Sequence, residues 1–116
     1  MGVSEPLIQT SLLGEAVENG PAAVFVADEE GRYVAVNQAA CILLGYSREE
    51  LLAMHVADVA QDSAEAWEAM RASGTNVGTS TLTCKDGTSV RFTYVAGATV
   101  VAGMSVYVAA GVAVGT

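Results

Sequence analysis

The sequence predicts an α+β domain: two strands, a set of short helices, then three strands, with no βαβ repetition. Three observations carry that reading. Residues 22–36 hold two apolar, β-branched runs around the turn Asp28-Glu29-Glu30-Gly31, a hairpin pattern. Residues 37–74 carry helix start and stop signals in quick succession: Asn37 and Gly45, Ser47 with Glu50, Asp62 and Gly74. Residues 76–83 and 89–98 alternate Thr, Val and aromatic side chains on either side of Lys85-Asp86-Gly87-Thr88, and a third run follows at 105–110.

Taken in order, a first helix is predicted over 5–19, capped by Ser4, with Pro6 tolerated in its first turn. Ile8, Leu12 and Ala16, with Leu13 and Val17 alongside, give it a broad apolar stripe, and Gly20-Pro21 stops it. A stripe that wide must cover something. In the hairpin that follows, Gly31 is free to take positive φ. Asn37 can accept from the open N–H groups of a helix over 38–44, which Gly45 closes as a left-handed cap. Ser47-Arg48-Glu49-Glu50 fits a capping box opening a short helix with Leu51, Leu52 and Met54. Asp62 is read as the carboxylate cap of a longer helix to about Ser73, with Trp67 and Met70 on one face and Gly74 at its end.

The composition narrows the function. At 116 residues the chain forms one domain, and it is 52% hydrophobic but only 6% aromatic. Its core is therefore built from Ala, Val and Leu, which leaves room for a cavity. Net charge is −8, Lys85 is the only lysine, and Arg32, Arg48, Arg71 and Arg91 are scattered. No basic patch exists to neutralise phosphates, so neither nucleic acid nor an anionic membrane is an expected partner. No apolar run reaches the ~18 residues of a membrane span, and no basic segment opens a signal peptide; a cytoplasmic location is expected. Cys41 and Cys84 lack a CxxC spacing and are read as packed, reduced thiols. With His55 the only imidazole, a four-ligand zinc site cannot be composed, and no metal is expected. Glu29-Glu30 and Glu49-Glu50 are read as solvated turn and helix-dipole carboxylates. No nucleophile stands beside a base in sequence, so the chain is not expected to be an enzyme.

Val26-Ala27-Asp28, Gly31-Arg32, Val36-Asn37 and Leu44-Gly45-Tyr46-Ser47-Arg48-Glu49-Glu50-Leu51, in that order, resemble the opening half of a PAS domain. The resemblance implies a PAS fold: a five-stranded antiparallel sheet in spatial order 2-1-5-4-3, clasped on one face by the mid-chain helices and flanked by the N-terminal helix. It divides the chain into an amphipathic helix over 1–20, a PAS domain over 21–112 and a tail over 113–116. The family's usual Asp-Ile-Thr ending is absent, and the tail is read as a truncated linker. The function implied is that of a sensory or regulatory domain of a cytoplasmic signal-transduction protein. Such a domain would bind a small apolar ligand and relay the change to an output domain such as a histidine kinase, cyclase or transcription regulator. A ligand-free homodimerisation module, pairing through Leu7, Ile8, Leu12, Leu13 and Ala16, is the alternative. A flavin- or haem-based redox or light sensor is the third reading.

Strand alternation, combined with the resemblance, places a candidate ligand pocket on Phe25, Ala27, Leu44, Trp67, Met70, Leu82, Phe92, Tyr94, Val106 and Val108, facing the helices. Val24, Val26 and Val95 are expected outward, under the N-terminal helix. The Tyr94 hydroxyl either orients a polar end of the ligand or, the reading preferred, meets a backbone carbonyl as a core tyrosine. No cofactor is expected. Haem-binding relatives carry their axial histidine on the long helix, where this chain has Trp67-Glu68-Ala69-Met70, and His55 is read as a surface or capping residue. The flavin–cysteine branch carries Gly-x-Asn-Cys-Arg-Phe-Leu-Gln where this chain has Met54-His55-Val56-Ala57-Asp58-Val59. Trp67, Gly74, Gly78 and Lys85-Asp86-Gly87 echo the spacing of relatives that hold FAD without a covalent bond. Here, however, Val77 stands for a second Trp and Leu82 for an Asn.

Overall fold

A computed structural model describes residues 5–114 of the chain. Along it run α1 (Pro6–Asn19), β1 (Ala23–Asp28), β2 (Tyr33–Val36), α2 (Gln38–Leu44), α3 (Arg48–Leu51), α4 (Val56–Val59), α5 (Ser63–Ser73), β3 (Thr75–Thr83), β4 (Ser89–Val101) and β5 (Met104–Ala113). The strands form one antiparallel sheet in the order β2-β1-β5-β4-β3. First and last strands are thus neighbours at its centre, and the order is the one that the resemblance implies.

Local chemistry explains the first half. Asp28 Oδ1 accepts from the N–H groups of Glu30 (2.9 Å) and Arg32 (3.0 Å), closing the β1–β2 turn, and Gly31 sits at φ 86°. A side chain there would also strike the ring of His55. Asn37 does more than cap α2. Its Oδ1 accepts from Ala40 (3.1 Å) and Val24 (2.9 Å), while Nδ2 donates to the carbonyls of Val17 (2.6 Å) and Ala22 (2.8 Å). One amide therefore joins the end of α1, the start of β1 and the start of α2, and it is only 4% exposed. Gly45 closes α2 at φ 79°, and Ser47 with Glu50 forms the expected capping box of α3. Ala40, Leu44 and Leu51 have no exposed surface, and Val59 has almost none; they fill the core between these helices and β1.

Several expectations change. The predicted cap Ser4 lies outside the described residues; Glu5 occupies the cap position of α1, and its side chain makes no capping bond. α1 buries none of its residues. It is held near its C-terminal end, where Asn37 meets Val17 and Glu18 pairs with Arg48 at 2.5 Å. It does not cover the sheet, whose outward Val95 is 57% exposed. Asp62 precedes α5 but makes no capping bond either; its carboxylate accepts instead from the Ser80 hydroxyl on β3. β4 and β5 run further than the alternation suggested and meet at a two-residue turn, where Ala102 (φ 50°) and Gly103 (φ 79°) both take positive φ. Such turns match the twist of a hairpin, but an Ala in the first position hides the signal.

Candidate ligand cavity

The face of the sheet opposite its solvent side carries a cavity of about 100 Å³, roofed by α4, α5 and the link between them. α5 spans it like a strap. Before α5, Gln61 N–H donates to the Thr81 carbonyl (3.0 Å), Ala60 bridges to Leu82, and Asp62 takes the Ser80 hydroxyl. At its end Gly74, left-handed at φ 78°, turns straight into β3, and its carbonyl accepts from Ala98 N–H at 3.0 Å. Between these anchors only Met70 is buried. The long helix is fixed at both ends and lightly packed in the middle.

Of the residues the sequence placed here, Phe25, Ala27, Trp67, Met70, Leu82, Phe92, Tyr94 and Val108 line the cavity. Leu44 does not: it is wholly buried beneath α2. Val106 is buried but is not part of the lining. The register of β5 against β1 gives the reason. β5 pairs with β1 so that Tyr107 faces Ala27 and Ala109 faces Phe25, while Val106 sits opposite Asp28 and Val108 opposite Val26. Directly opposed residues share a face, so Tyr107 and Ala109 project toward the helices and the two valines belong to the outer face. Val108 borders the cavity from between them.

The sequence missed Tyr33, Asn76, Ser80 and Tyr107. Phe25 packs edge-on to Phe92 (centroids 5.8 Å, 86°) and tilted on Tyr33 (5.5 Å). Phe92 and Tyr94 lie nearly parallel at 6.0 Å, and Trp67 rests on Tyr107 at 4.6 Å. The Tyr94 hydroxyl accepts from Asn76 Nδ2 at 2.8 Å, so its partner is a side-chain amide and not the backbone carbonyl expected. Gly78 lies opposite Tyr94 on β3, beside this pair. Burial pushes the Tyr94 hydroxyl above the ordinary tyrosine range and the charge of Asp62 adds to it, against the bond from Asn76. Burial, with Asp58 contributing, pushes Tyr33 higher still. No Asp, Glu, Lys, Arg or His side chain lines the cavity.

The candidate chemistry elsewhere is occupied with structure. His55 caps α4: its Nδ1 accepts from Ala57 N–H (3.0 Å), its backbone N–H bonds Asp58, and Nε2 lies against the Glu30 carbonyl. Cys84 Sγ points at the Leu43 carbonyl, and burial raises the Cys41 thiol. Among the described residues no cluster of His, Cys, Asp and Glu could hold a metal ion, and no helix is long and apolar enough to cross a membrane.

The PAS fold family model matches residues 12–107, and the chain belongs to that family. No curated protein matches the sequence. Among solved structures, the PAS domain of a two-component sensor histidine kinase superposes with a TM-score of 0.82 at 19% identity, covering 95% of this chain and 100% of that one. The PAS domain of an HTR-like protein from Haloarcula marismortui gives 0.79 at 21% identity, over 91% and 92% of the two chains. A domain of a sensory box sensor histidine kinase/response regulator from Geobacter sulfurreducens gives 0.74 at 21% identity, over 94% and 98%. At these identities the likeness is one of fold.

Proposed function

We propose that this domain is the regulatory part of a cytoplasmic signalling protein, and that its cavity takes up a small apolar ligand. The observation that carries this reading is the cavity itself, apolar and roofed by a helix anchored at both ends. A ligand that fits one packing of α5 better than another shifts the balance between them by that difference in affinity, with no bond made or broken. The change would pass through β3, to which α5 is joined at both ends, and across the sheet to an output domain. The domain itself is not an enzyme in this reading. That two of the structurally similar domains come from sensor histidine kinases favours a histidine kinase as output over a cyclase or transcription regulator. The size of the cavity favours a compact ligand: it is well below the ~300 Å³ at which ordinary cofactor pockets begin. Neither flavin nor haem is therefore proposed. Native mass spectrometry of the purified protein, with and without added ligands of one-ring size, tests it. A bound mass accompanied by a rise in melting temperature is expected; protein that stays ligand-free and unshifted across all of them contradicts the reading.

A second reading rests on a different observation. Leu7 (75%) and Leu13 (66%) of α1 are exposed, as is Val77 (73%) on the outer face of the sheet. A helix of 14 residues with no buried side chain has little tertiary packing to hold it, and isolated helices of that length are marginal. Pairing of two copies through Leu7, Ile8, Leu12, Leu13 and Ala16 would supply the missing burial. Light scattering on the intact chain and on Leu13→Glu tests it: a dimer that the substitution converts to monomer is expected. A monomer at every concentration contradicts it.

A further inference from the structure

The chain has four tyrosines, two phenylalanines and one tryptophan, and all but Tyr46 line the cavity. Phe25, Tyr33 and Phe92 also belong to the hydrophobic core, whereas Trp67, Tyr94 and Tyr107 are only half-buried and line the cavity outside it. Aromatic rings attract further rings through their quadrupoles, in offset or edge-on geometry, beyond what burial of area alone supplies. The spread of ring orientations, from 14° between Phe92 and Tyr94 to 86° between Phe25 and Phe92, presents both faces and edges. Size sets an upper limit: an apolar cavity of ~150 Å³ takes up benzene, so one of about 100 Å³ is filled by at most a single ring and excludes a fused system.

Charge and hydrogen bonding narrow the class further. With no cationic side chain in the lining and a net charge of −8, a buried carboxylate would have no partner to offset its desolvation. Two polar pairs border the cavity: Ser80 is committed to Asp62, whereas Asn76 and Tyr94 bond each other. Because Nδ2 of Asn76 donates to the Tyr94 oxygen, the tyrosine's own proton is free to be given to a ligand oxygen. Resting on the ligand-binding reading above, we infer that the cavity selects a neutral, single-ring aromatic carrying one oxygen substituent, with its oxygen on Tyr94.

The test uses the full chain and four probes: phenol, toluene, cyclohexanol and benzoate. Trp67 is the only tryptophan and lines the cavity, so its emission reports binding, with amide chemical shifts of the lining residues as a second readout. Phenol is expected to bind tightest, and toluene about fivefold more weakly, as one net hydrogen bond requires. Cyclohexanol is expected to be weaker than phenol, and benzoate to produce no shift. Tyr94→Phe should lower phenol affinity about fivefold while leaving toluene unchanged; equal losses for both overturn the assignment of the polar end. Should that variant not fold, the wild-type panel still decides the class. Cyclohexanol binding as tightly as phenol overturns the aromatic class, and benzoate binding overturns neutrality; in either case the ligand-binding reading stands. Silence from all four probes overturns the inference and that reading together.

Discussion

α2 and α5 open with the same kind of signal and are built in opposite ways. Asn37 before α2 spends its amide locally, on the first turn of the helix and on the chain segments beside it, and α2 buries Ala40 and Leu44 completely. Asp62 before α5 makes no bond to its own helix and reaches to Ser80 on the sheet. α5 then crosses the cavity with only Met70 buried. The difference separates a half of the domain held by dense packing from a half held mainly at the two ends of its helix. A capping residue in sequence marks where a helix starts. Whether its side chain serves the helix or the sheet is decided by a strand many residues later.

Substitutions that break this contrast should differ in size. Leu44→Ala removes a fully enclosed side chain and should lower unfolding free energy by about 4 kcal/mol, whereas Met70→Ala, beside an existing cavity, should cost roughly half that. Denaturant midpoints measure both, and equal losses would show that α5 is packed as firmly as α2. Asn37→Ala should cost about 3 kcal/mol, since the cap and the partners of a buried amide are lost together, against about 1 kcal/mol for Asp62→Ala. A reversed order would make the strap, and not the Asn37 junction, the stronger fastening.

The cavity half should also be the part that responds to alkali. Tyr33 has its folded value raised above the ordinary 10.0 by burial, so in strong base the unfolded chain gives up this proton while the native state keeps it. Its contribution to stability is complete below pH 10.0 and is lost as pH climbs toward the raised folded value. Tyr33→Phe should leave stability near neutrality little changed and flatten the loss above that pH. An identical alkaline slope in the variant would remove Tyr33 from the account. Last and smallest, Ala102→Gly at the β4–β5 turn should gain about 0.5 kcal/mol by relieving a left-handed alanine, read as a slightly higher denaturant midpoint.

How much of this was legible depended on the distance over which each feature is determined. Gly31, Gly45, the Ser47–Glu50 box and the order of elements follow from neighbours in sequence, and they were read correctly. Strand phase is a property of pairing. Alternation and the family resemblance place Val106 and Val108 inward, yet the pairing of β5 with β1 turns Tyr107 and Ala109 to the helices, leaving Val108 at the cavity's border and Val106 outside it. The Asn76–Tyr94 bond exists because β3 and β4 bring those residues together beside Gly78, which no local pattern announces. The apolar side chains of α1 were legible, but whether they lie on the sheet is decided by tertiary packing, and they do not.

Hydrogen exchange of individual amides under native conditions tests the central contrast most directly. The amides in the middle of α5, around Trp67 and Met70, should open at a free energy well below that of α2, while the amide of Ala40 exchanges only through global unfolding. Equal protection in the two helices would contradict a domain divided into a fixed half and a yielding one.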